Sequence, residues 1–480
     1  MCTYVYTDTV QSIPEWAACH WDVIIVGGGN AAVVAALSAN DLGAAVLVLE
    51  RAPQHLRGGN SRHTRNIRCV HGDDEFNTGP YGPQELWSDL CNVGDGPNNE
   101  ELARFTVQDS ESILQWMADH GARWQKALRG TLHLDRTNRF FLGGGKALVN
   151  TYHRALARLG VTVRYGVTVS DLVLDGDLCT GVRTADGALL RARAVVCASG
   201  GFEANVEWLR RYWGDAAGNF LIRGPATNDG RVLAALYAHG AARAGQERGF
   251  HSVAIDARSP RFDGGIATRL DSIPFSIVVN SSGTRFYDEG EELWPKRYAI
   301  WGRNIAGQPG QIAYSIWDSK VNRLFLPPMY GPVSATSVAG VATGLGLDPE
   351  ALAATVAEYN KAVVPGTFDP SRLDGCRTDG LTPPKSNWAQ PIDAPPFYGI
   401  AMRPGITFTF MGVKVTREAR VRTDDGGAFG NVFAAGEIMS GNVLSSGYLG
   451  GFGLTIGTVW GRIAGAAAAR AAAPGTAEKS

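Results

Sequence analysis

Residues 21–50, WDVIIVGGGNAAVVAALSANDLGAAVLVLE, constrain this chain more than any other stretch. The apolar, β-branched run Val23 to Val26 predicts a strand, Gly27-Gly28-Gly29 a turn, Ala31 to Leu42 a small-residue helix, and Ala45 to Leu49 a second strand. That order is one βαβ unit. In such a unit Gly27 makes the tight turn, Gly29 lets a pyrophosphate approach the backbone, and Ala32 permits close helix-to-strand packing. The phosphates would sit on the helix N-terminus, where free N–H groups and the macrodipole favour an anion. Glu50, 23 positions after Gly27, stands where a carboxylate accepts ribose hydroxyls and would repel a 2′-phosphate. A dinucleotide site is expected here, in preference to a purely structural turn.

The bulk properties narrow the class. With 480 residues there is material for about two to four domains. Lys and Arg total 45 against 46 for Asp and Glu, so nothing advertises nucleic acid or an anionic membrane surface. The seven cysteines (Cys2, Cys19, Cys69, Cys91, Cys179, Cys197, Cys376) form no CxxC and no close cluster, so no zinc or iron–sulfur site is specified and no metal is expected. The first twenty residues carry Asp8 and Glu15 and no basic segment followed by an apolar one, and no stretch of about eighteen residues is uncharged and apolar. The expected location is cytoplasmic.

Further along, residues 51–75 form a loop with Gly58-Gly59 and five arginines, which reads either as a solvated basic loop or as a segment lying along the ring and pyrophosphate of a flavin. Residues 83–120 carry apolar residues at helical spacing, with Gly121 as a C-cap. Gly143-Gly144-Gly145 resembles a second nucleotide turn, but the acid is missing after Val161-Thr162-Val163, so a helix supporting the first domain is expected. Short antiparallel strands are predicted over 167–174, 181–184 and 188–192, and a buried strand over 194–198 that runs into Ser199-Gly200-Gly201. Prolines and aromatics increase from about 250 to 375, which predicts an inserted domain. Within it, Arg285, Phe286, Tyr287, Asp288 and Glu289 crowd beside a strand end, as in a substrate cleft or a salt-bridged surface hairpin. Near the end, NVFAAGE (431–437) is a strand meeting a glycine and an acid, and residues 445–465 form a glycine-rich turn opening a long helix. Such a helix N-terminus can stabilise negative charge on a reduced flavin.

Taken together, the Gly27 motif with Glu50, GGNS at 58–61, VVNSSGTRFYDE at 278–289 and NVFAAGE at 431–437 resemble the FAD-dependent fumarate reductase and succinate dehydrogenase flavoproteins, over nearly the whole chain. Within that superfamily, GGNSRHTRNIRC, FYDEGEELWPKRYAIWGR, TFTFMGVKV and GEIMSGNVL most resemble the tricarballylate dehydrogenases, which oxidise tricarballylate to cis-aconitate. The resemblance implies an α/β fold: a Rossmann-type FAD-binding domain over 20–249 and 376–470, an inserted α+β substrate-capping domain over 250–375, and flexible termini at 1–19 and 471–480. It implies FAD, held without a covalent bond, at Gly27, Gly29, Asn30, Ala31, Glu50 and Arg51, at Gly58, Gly59, Asn60 and Ser61, and at Val169, Gly200, Gly436, Glu437 and Leu449.

Chemistry is implied as hydride transfer to flavin N5 with a proton removed through Arg285, the arginine of GTRF, coupled to Glu289, with Tyr448 as a further catalytic residue. An arginine is a poor base at its reference pKa, so desolvation and acidic neighbours would be needed. Substrate binding is expected at His63, Arg65, Arg297, Thr409 and Tyr448. Two departures stand out. Dicarboxylate-reducing relatives carry a histidine where this chain has Phe408-Thr409-Phe410-Met411-Gly412, and a carboxylate-clamping arginine where it has Tyr448-Leu449-Gly450-Gly451. Other cations must then hold a polycarboxylate, and Arg62, Arg65, Arg68, Lys296, Arg297 and Arg303 are available. His63, in SRHT, is expected to bond to backbone rather than to carry a covalent flavin. The resemblance also implies a separate membrane-bound electron-acceptor protein as partner, and with it peripheral attachment to the inner face of the membrane as the variant of a cytoplasmic location. Two other readings stay open: a flavin-dependent desaturase of a ketone or biosynthetic intermediate in a ketosteroid-dehydrogenase-like pocket around Tyr448, and a flavin electron-transfer subunit without substrate chemistry of its own.

Overall fold

The computed structural model describes residue 16 and residues 19–94, 96–127 and 132–473. Most of the expected flexible termini, 1–15, 17–18 and 474–480, lie outside the described residues, while 471 and 472 close the C-terminal helix. The opening unit is β1 (His20–Val26), α1 (Asn30–Asn40) and β2 (Val46–Glu50). β1 pairs parallel with β2, placing Val23 opposite Val46 and Ile25 opposite Val48. β2 is buried along its whole length, which is why it reads as an unbroken apolar run rather than an alternating one.

After α2 (Gly144–Arg158) and β3 (Thr162–Tyr165), the strands β4 (Val169–Asp175), β5 (Leu178–Thr184) and β6 (Leu189–Cys197) form an antiparallel excursion that returns to the sheet. A second sheet then intervenes, built around β7 (Phe250–Asp256), β8 (Ile277–Asn280), β9 (Ala313–Asp318) and the 13-residue β10 (Phe397–Thr409). The chain returns through β11 (Arg420–Arg422) and β12 (Ala428–Ala434) to α3 (Phe452–Ala472). The first sheet runs β11-β12-β6-β1-β2-β3, with β5 also on β6 and β4 on β5.

α1 buries Ala32, Val33, Val34, Ala35, Ala36 and Leu37, so it is apolar all round rather than on one stripe. Its outer side is covered by α3 at very close range. A Cβ at Gly465 would lie 2.1 Å from Ala35 O, and one at Gly461 2.7 Å from Ala31 O. The small residues of the last helix thus let the end of the chain seat on its beginning.

The second sheet takes strands from both sides of the expected 250–375 insertion. Leu221–Ile222 pairs parallel with β10, which itself lies beyond residue 375. We take the capping unit to span about 221 to 409. Its outer face packs Ile277, Val279, Ile316, Leu352, Val356 and Tyr359 into a core of its own. The short second glycine turn behaves as a packing device: a Cβ at Gly145 would meet Ser61 O at 2.1 Å, and His153 on α2 bonds through Nε2 to Gly28 O at 3.1 Å.

Candidate active site

One large cleft lies where the parallel strands β1, β2, β6 and β12 end and β7 and β10 of the capping unit face them. This is the position at which open α/β sheets bind ligands. The space between its lining atoms, counting the solvent-open mouth, is about 1480 Å³.

The body side of the cleft is made of backbone. Gly27 has φ +120°, and a Cβ there would lie 2.3 Å from Ala198 O, so only glycine joins β1 to α1 beside β6. At Gly28 a Cβ would lie 2.3 Å from Glu50 Oε2. Glu50 is buried and accepts N–H bonds from Ala52 at 2.8 Å and Gly58 at 3.5 Å; burial raises its pKa against those bonds. The Asn30 N–H donates to Ser61 Oγ at 3.0 Å, tying the helix start to the following loop. Asn30 Oδ1 and Asn60 Oδ1 are buried without a protein partner, and both residues line the cleft. Closely approachable glycines, a helix N-terminus, a buried carboxylate at the end of β2 and orphaned amide oxygens fit a dinucleotide cofactor.

The cap side is cationic. Arg65, Arg223 and Arg269 line it, with side chains almost wholly buried or, for Arg65, laid 5.5 Å over the Phe140 ring. Arg65 Nε and Nη2 and Arg269 Nε have no partner. Arg223 Nε donates to Gly265 O at 3.1 Å. Desolvation, then the charge of Arg269, lowers Arg65 and Arg223 to about 10. Arg269 is itself desolvated but held up by Asp271, 2.7 Å away, which Trp294 Nε1 also contacts at 2.7 Å. Three guanidiniums therefore crowd this end of the cleft, with Asp271 paired to Arg269.

Between the two ends stand His251 and Tyr448, stacked at 3.8 Å and 15°. Tyr448 accepts the Gly453 N–H at 2.9 Å, at the start of α3, which leaves its own O–H free to donate. Burial holds its phenol above the usual range. His251 is buried, with Nδ1 unpartnered; desolvation and the charges of Arg223 and Arg269 hold it well below an ordinary histidine, so it is neutral.

Among the expected cofactor residues, Gly27, Gly29, Asn30, Ala31, Glu50, Arg51, Gly59, Asn60, Ser61, Val169, Gly200, Gly436 and Glu437 line this cleft. Gly58 and Leu449 do not. Gly58 sits against Val149 at φ +106°, where it turns the loop, and Leu449 is buried in the main core. Of the expected substrate residues, His63, Arg65 and Tyr448 line the cleft. Thr409 lies behind it, giving its N–H to Glu437 Oε1 at 2.8 Å. His63 Nε2 lies 2.9 Å from Asp263 Oδ1, so its partner is a carboxylate of the capping unit rather than backbone.

Arg285 and Glu289 are elsewhere. Arg285 bonds to Glu289 at 2.6 and 3.0 Å and to Pro383 O and Pro384 O, under Tyr359 in the outer core of the cap, so its donors are spent on protein acceptors far from the cleft. Arg297 pairs with Glu291 at 3.1 Å and reaches Asn92 O. The other candidate cations are also engaged: Arg68 with Gly450 O, Tyr81 and Pro295 O, Lys296 with Asp89, Arg303 with Ser446 O, and Arg62 with Leu56 O. The residues not foreseen, Arg223, Arg269, His251 and Tyr298, had a faint signal: Arg223 closes the apolar run Phe220-Leu221-Ile222, and Arg269 interrupts another.

With this geometry in place, comparison with known proteins is informative. The profile of the FAD binding domain family matches residues 22–454. The NADH:fumarate oxidoreductase of Klebsiella pneumoniae (strain 342) is 27% identical over 470 residues, covering 94% of this chain and 48% of that protein, so the chain spans about half its length. The open conformation of a flavocytochrome c3 fumarate reductase superposes with TM-score 0.72 at 23% identity, covering 94% of this chain and 78% of that one. A 3-ketosteroid-Δ4-(5α)-dehydrogenase from Rhodococcus jostii RHA1 superposes with TM-score 0.71 at 23% identity, covering 96% and 99%. At these identities the two structures share the fold.

Proposed function

The chain belongs to the FAD binding domain family, and from that premise we propose that it is a flavin-dependent oxidoreductase acting on a carbon–carbon bond of a small polycarboxylate, with tricarballylate to cis-aconitate as the specific case. The observation that carries this reading is the wall of three guanidiniums that line the cleft, Arg223 and Arg269 buried and Arg65 half-buried, with unpartnered buried N–H groups on Arg65 and Arg269. Buried, unpaired donors of this kind are costly without an anion, and a guanidinium binds a carboxylate through parallel N–H bonds. An apolar ketone would leave them unsatisfied.

The backbone of Gly27 to Ala31 would hold the cofactor's phosphates, Glu50 its ribose, and Gly436-Glu437 the far side of the cleft. When bound, FAD supplies a two-electron acceptor next to the substrate. The arginines orient the acid and desolvate its reacting carbons; orientation of this kind is a large part of any rate enhancement. His251 is the group suited to take the departing proton. It has an unpartnered nitrogen, and although burial is the main reason its pKa is low, a polycarboxylate bound beside it would offset the further lowering by the Arg223 and Arg269 charges. Tyr448, fixed by the Gly453 N–H, can donate its O–H to the same substrate. Electrons would leave to a separate acceptor protein.

A second reading, a ketone desaturase, is favoured by the aromatic wall of Phe408, Tyr448 and Tyr298 in the same cleft. An anaerobic titration of the purified flavoprotein separates the two. Tricarballylate should bleach the oxidised-flavin band, and citrate-like acids should compete with it. If a cyclic ketone bleaches the band while the triacids neither bleach nor compete, the polycarboxylate reading fails and the oxidoreductase stands.

A further inference from the structure

At the wall of the cleft two carboxyl side chains share the amide of Asn60, and among the described residues no Lys, Arg or His bonds to either. Glu203 is fully buried and Glu437 is 8% exposed. Their partners are neutral. Glu203 Oε1 accepts from Asn60 Nδ2 at 2.6 Å and from Asn228 Nδ2 at 2.8 Å. Glu437 Oε1 accepts the Thr409 N–H at 2.8 Å and its hydroxyl at 3.2 Å, while Oε2 lies 3.3 Å from the same Asn60 Nδ2. The fourth oxygen, Glu203 Oε2, is buried and has no protein donor. Two full charges held here by amides and a hydroxyl alone would lack the compensation that buried charges require. One proton, carried by Glu437 and donated to Glu203, removes a charge and supplies the missing donor.

The elements that converge on the pair explain what it does. Glu203 follows the turn after β6, Glu437 follows β12, Asn60 belongs to the loop after β2, and Thr409 ends β10 of the capping unit. We propose that Glu203 and Glu437 share a single proton, and that this neutralised joint is a positioning device that fixes the end of β10 and Asn60 over the cofactor cleft. The inference does not rest on the identity of the substrate. Burial raises both carboxyls, and the charge of Glu203 lifts Glu437 further. Their protonation-linked stabilisation is therefore fully present below the ordinary carboxyl value of 4.5 and is lost as pH rises through the folded-state pKa of Glu437. The titratable and charged groups near the pair are Tyr448, whose raised phenol feels the Glu437 charge, Arg223 across the cleft, and Asp229 next to Asn228, which pairs with Arg51 at 2.7 Å. Loss of the shared proton would set two carboxylates against each other and release Thr409 and Asn60.

The test uses the FAD-loaded protein and two readouts that do not depend on turnover. Infrared spectra at neutral pH should contain a protonated-carboxyl C=O band that disappears in Glu437→Gln, which removes the carrier of the proton, and shifts in Glu203→Gln, which removes its acceptor. FAD affinity of the wild type should fall by roughly tenfold per pH unit once the pair loses its proton, and Glu437→Gln, whose amide mimics the protonated acid, should keep a flat profile. A wild-type spectrum without a band that Glu437→Gln abolishes would show a doubly charged pair satisfied in another way, and overturns the proposal. So does an unchanged alkaline loss in Glu437→Gln. If that variant fails to retain FAD, the infrared band of Glu203→Gln decides: a shifted or lost band supports a proton donated to Glu203, and a band at the wild-type position refutes it.

Discussion

The two ends of the cleft are built from different materials. The cofactor end is centred on backbone from one stretch of thirty residues, stiffened by glycines and one carboxylate at Glu50, and is completed by short turns at 59–61, 169, 200 and 436–437. The substrate end is side-chain charge gathered from positions 65, 223 and 269, on three separate segments. A backbone cradle works through shape and tolerates no added atoms. A cationic wall works through desolvated charge, so it depends on the cap being in place but accommodates changes of shape. Binding of the cofactor and binding of the substrate should therefore fail separately.

The largest expected effect concerns a residue that belongs to neither end. Arg285→Ala would leave Glu289 buried with the Val278 N–H at 2.8 Å and Lys385 at 4.0 Å as its remaining partners, and removing one partner of a buried pair costs about 3–5 kcal/mol. The melting temperature should fall steeply, while the protein that remains folded still binds FAD and is still bleached by substrate. A folded Arg285→Ala protein with normal melting and no bleaching would instead return the proton-transfer role to Arg285 and undo the division drawn above.

Gly27→Ala comes next. The substitution forces a left-handed backbone on alanine and sets its Cβ against Ala198 O, which together cost about 2–4 kcal/mol. FAD content after purification should collapse, and no excess of substrate should restore it. Arg65→Met acts on the other end. Loss of a charged bond to substrate costs about 1.5–3 kcal/mol, a decrease of about 10- to 150-fold in kcat/KM for a triacid. FAD content should be unchanged, and the discrimination between triacid and ketone should narrow. Equal loss of FAD in both variants would erase the contrast between the ends.

The same contrast explains what could be read from the chain before folding. The cofactor end is local: strand, glycines, helix and acid follow one another, so Gly27, Gly29 and Glu50 are legible in order, and thirteen of the fifteen residues expected to contact FAD line the cleft. Leu449 escaped because burial in a core and exposure to a ligand look alike in an apolar residue. The substrate end is nonlocal. Arg65 was nominated among several basic residues, but nothing in the sequence distinguishes it from Arg68, which is consumed by Tyr81 and two carbonyls. Arg285 illustrates the converse: a charged cluster beside a strand end suits a cleft and a buried structural pair equally, and only the packing of Tyr359 and the Pro383-Pro384 carbonyls decides. The boundaries of the insertion were blurred because β10 belongs to the cap sheet by pairing, though it follows the compositional shift at 375.

The smallest effect separates the two ends by pH. His153 supports the glycine turn from below: its Nε2–H donates to Gly28 O, and Tyr165 O–H lies 3.0 Å from Nδ1. Burial, the largest cause, lowers its pKa from 6.5 to about 4. The unfolded chain therefore takes up a proton that the folded one refuses, so the stabilisation is present above about 6.5 and lost as pH falls toward about 4, at no more than about 1.4 kcal/mol per pH unit. Many carboxylates also weaken the fold in acid, so the informative quantity is a difference. His153→Gln keeps an N–H for Gly28 O but does not titrate, and its melting temperature and FAD retention should fall less steeply than the wild type's over that interval. Parallel acid limbs would remove His153 from the account. Arg65 and Arg223, lowered only to about 10, keep their charge throughout the interval. Acid should thus loosen the backbone end while leaving the cationic wall intact, so in mild acid FAD should be lost before triacid binding to the remaining holoprotein weakens.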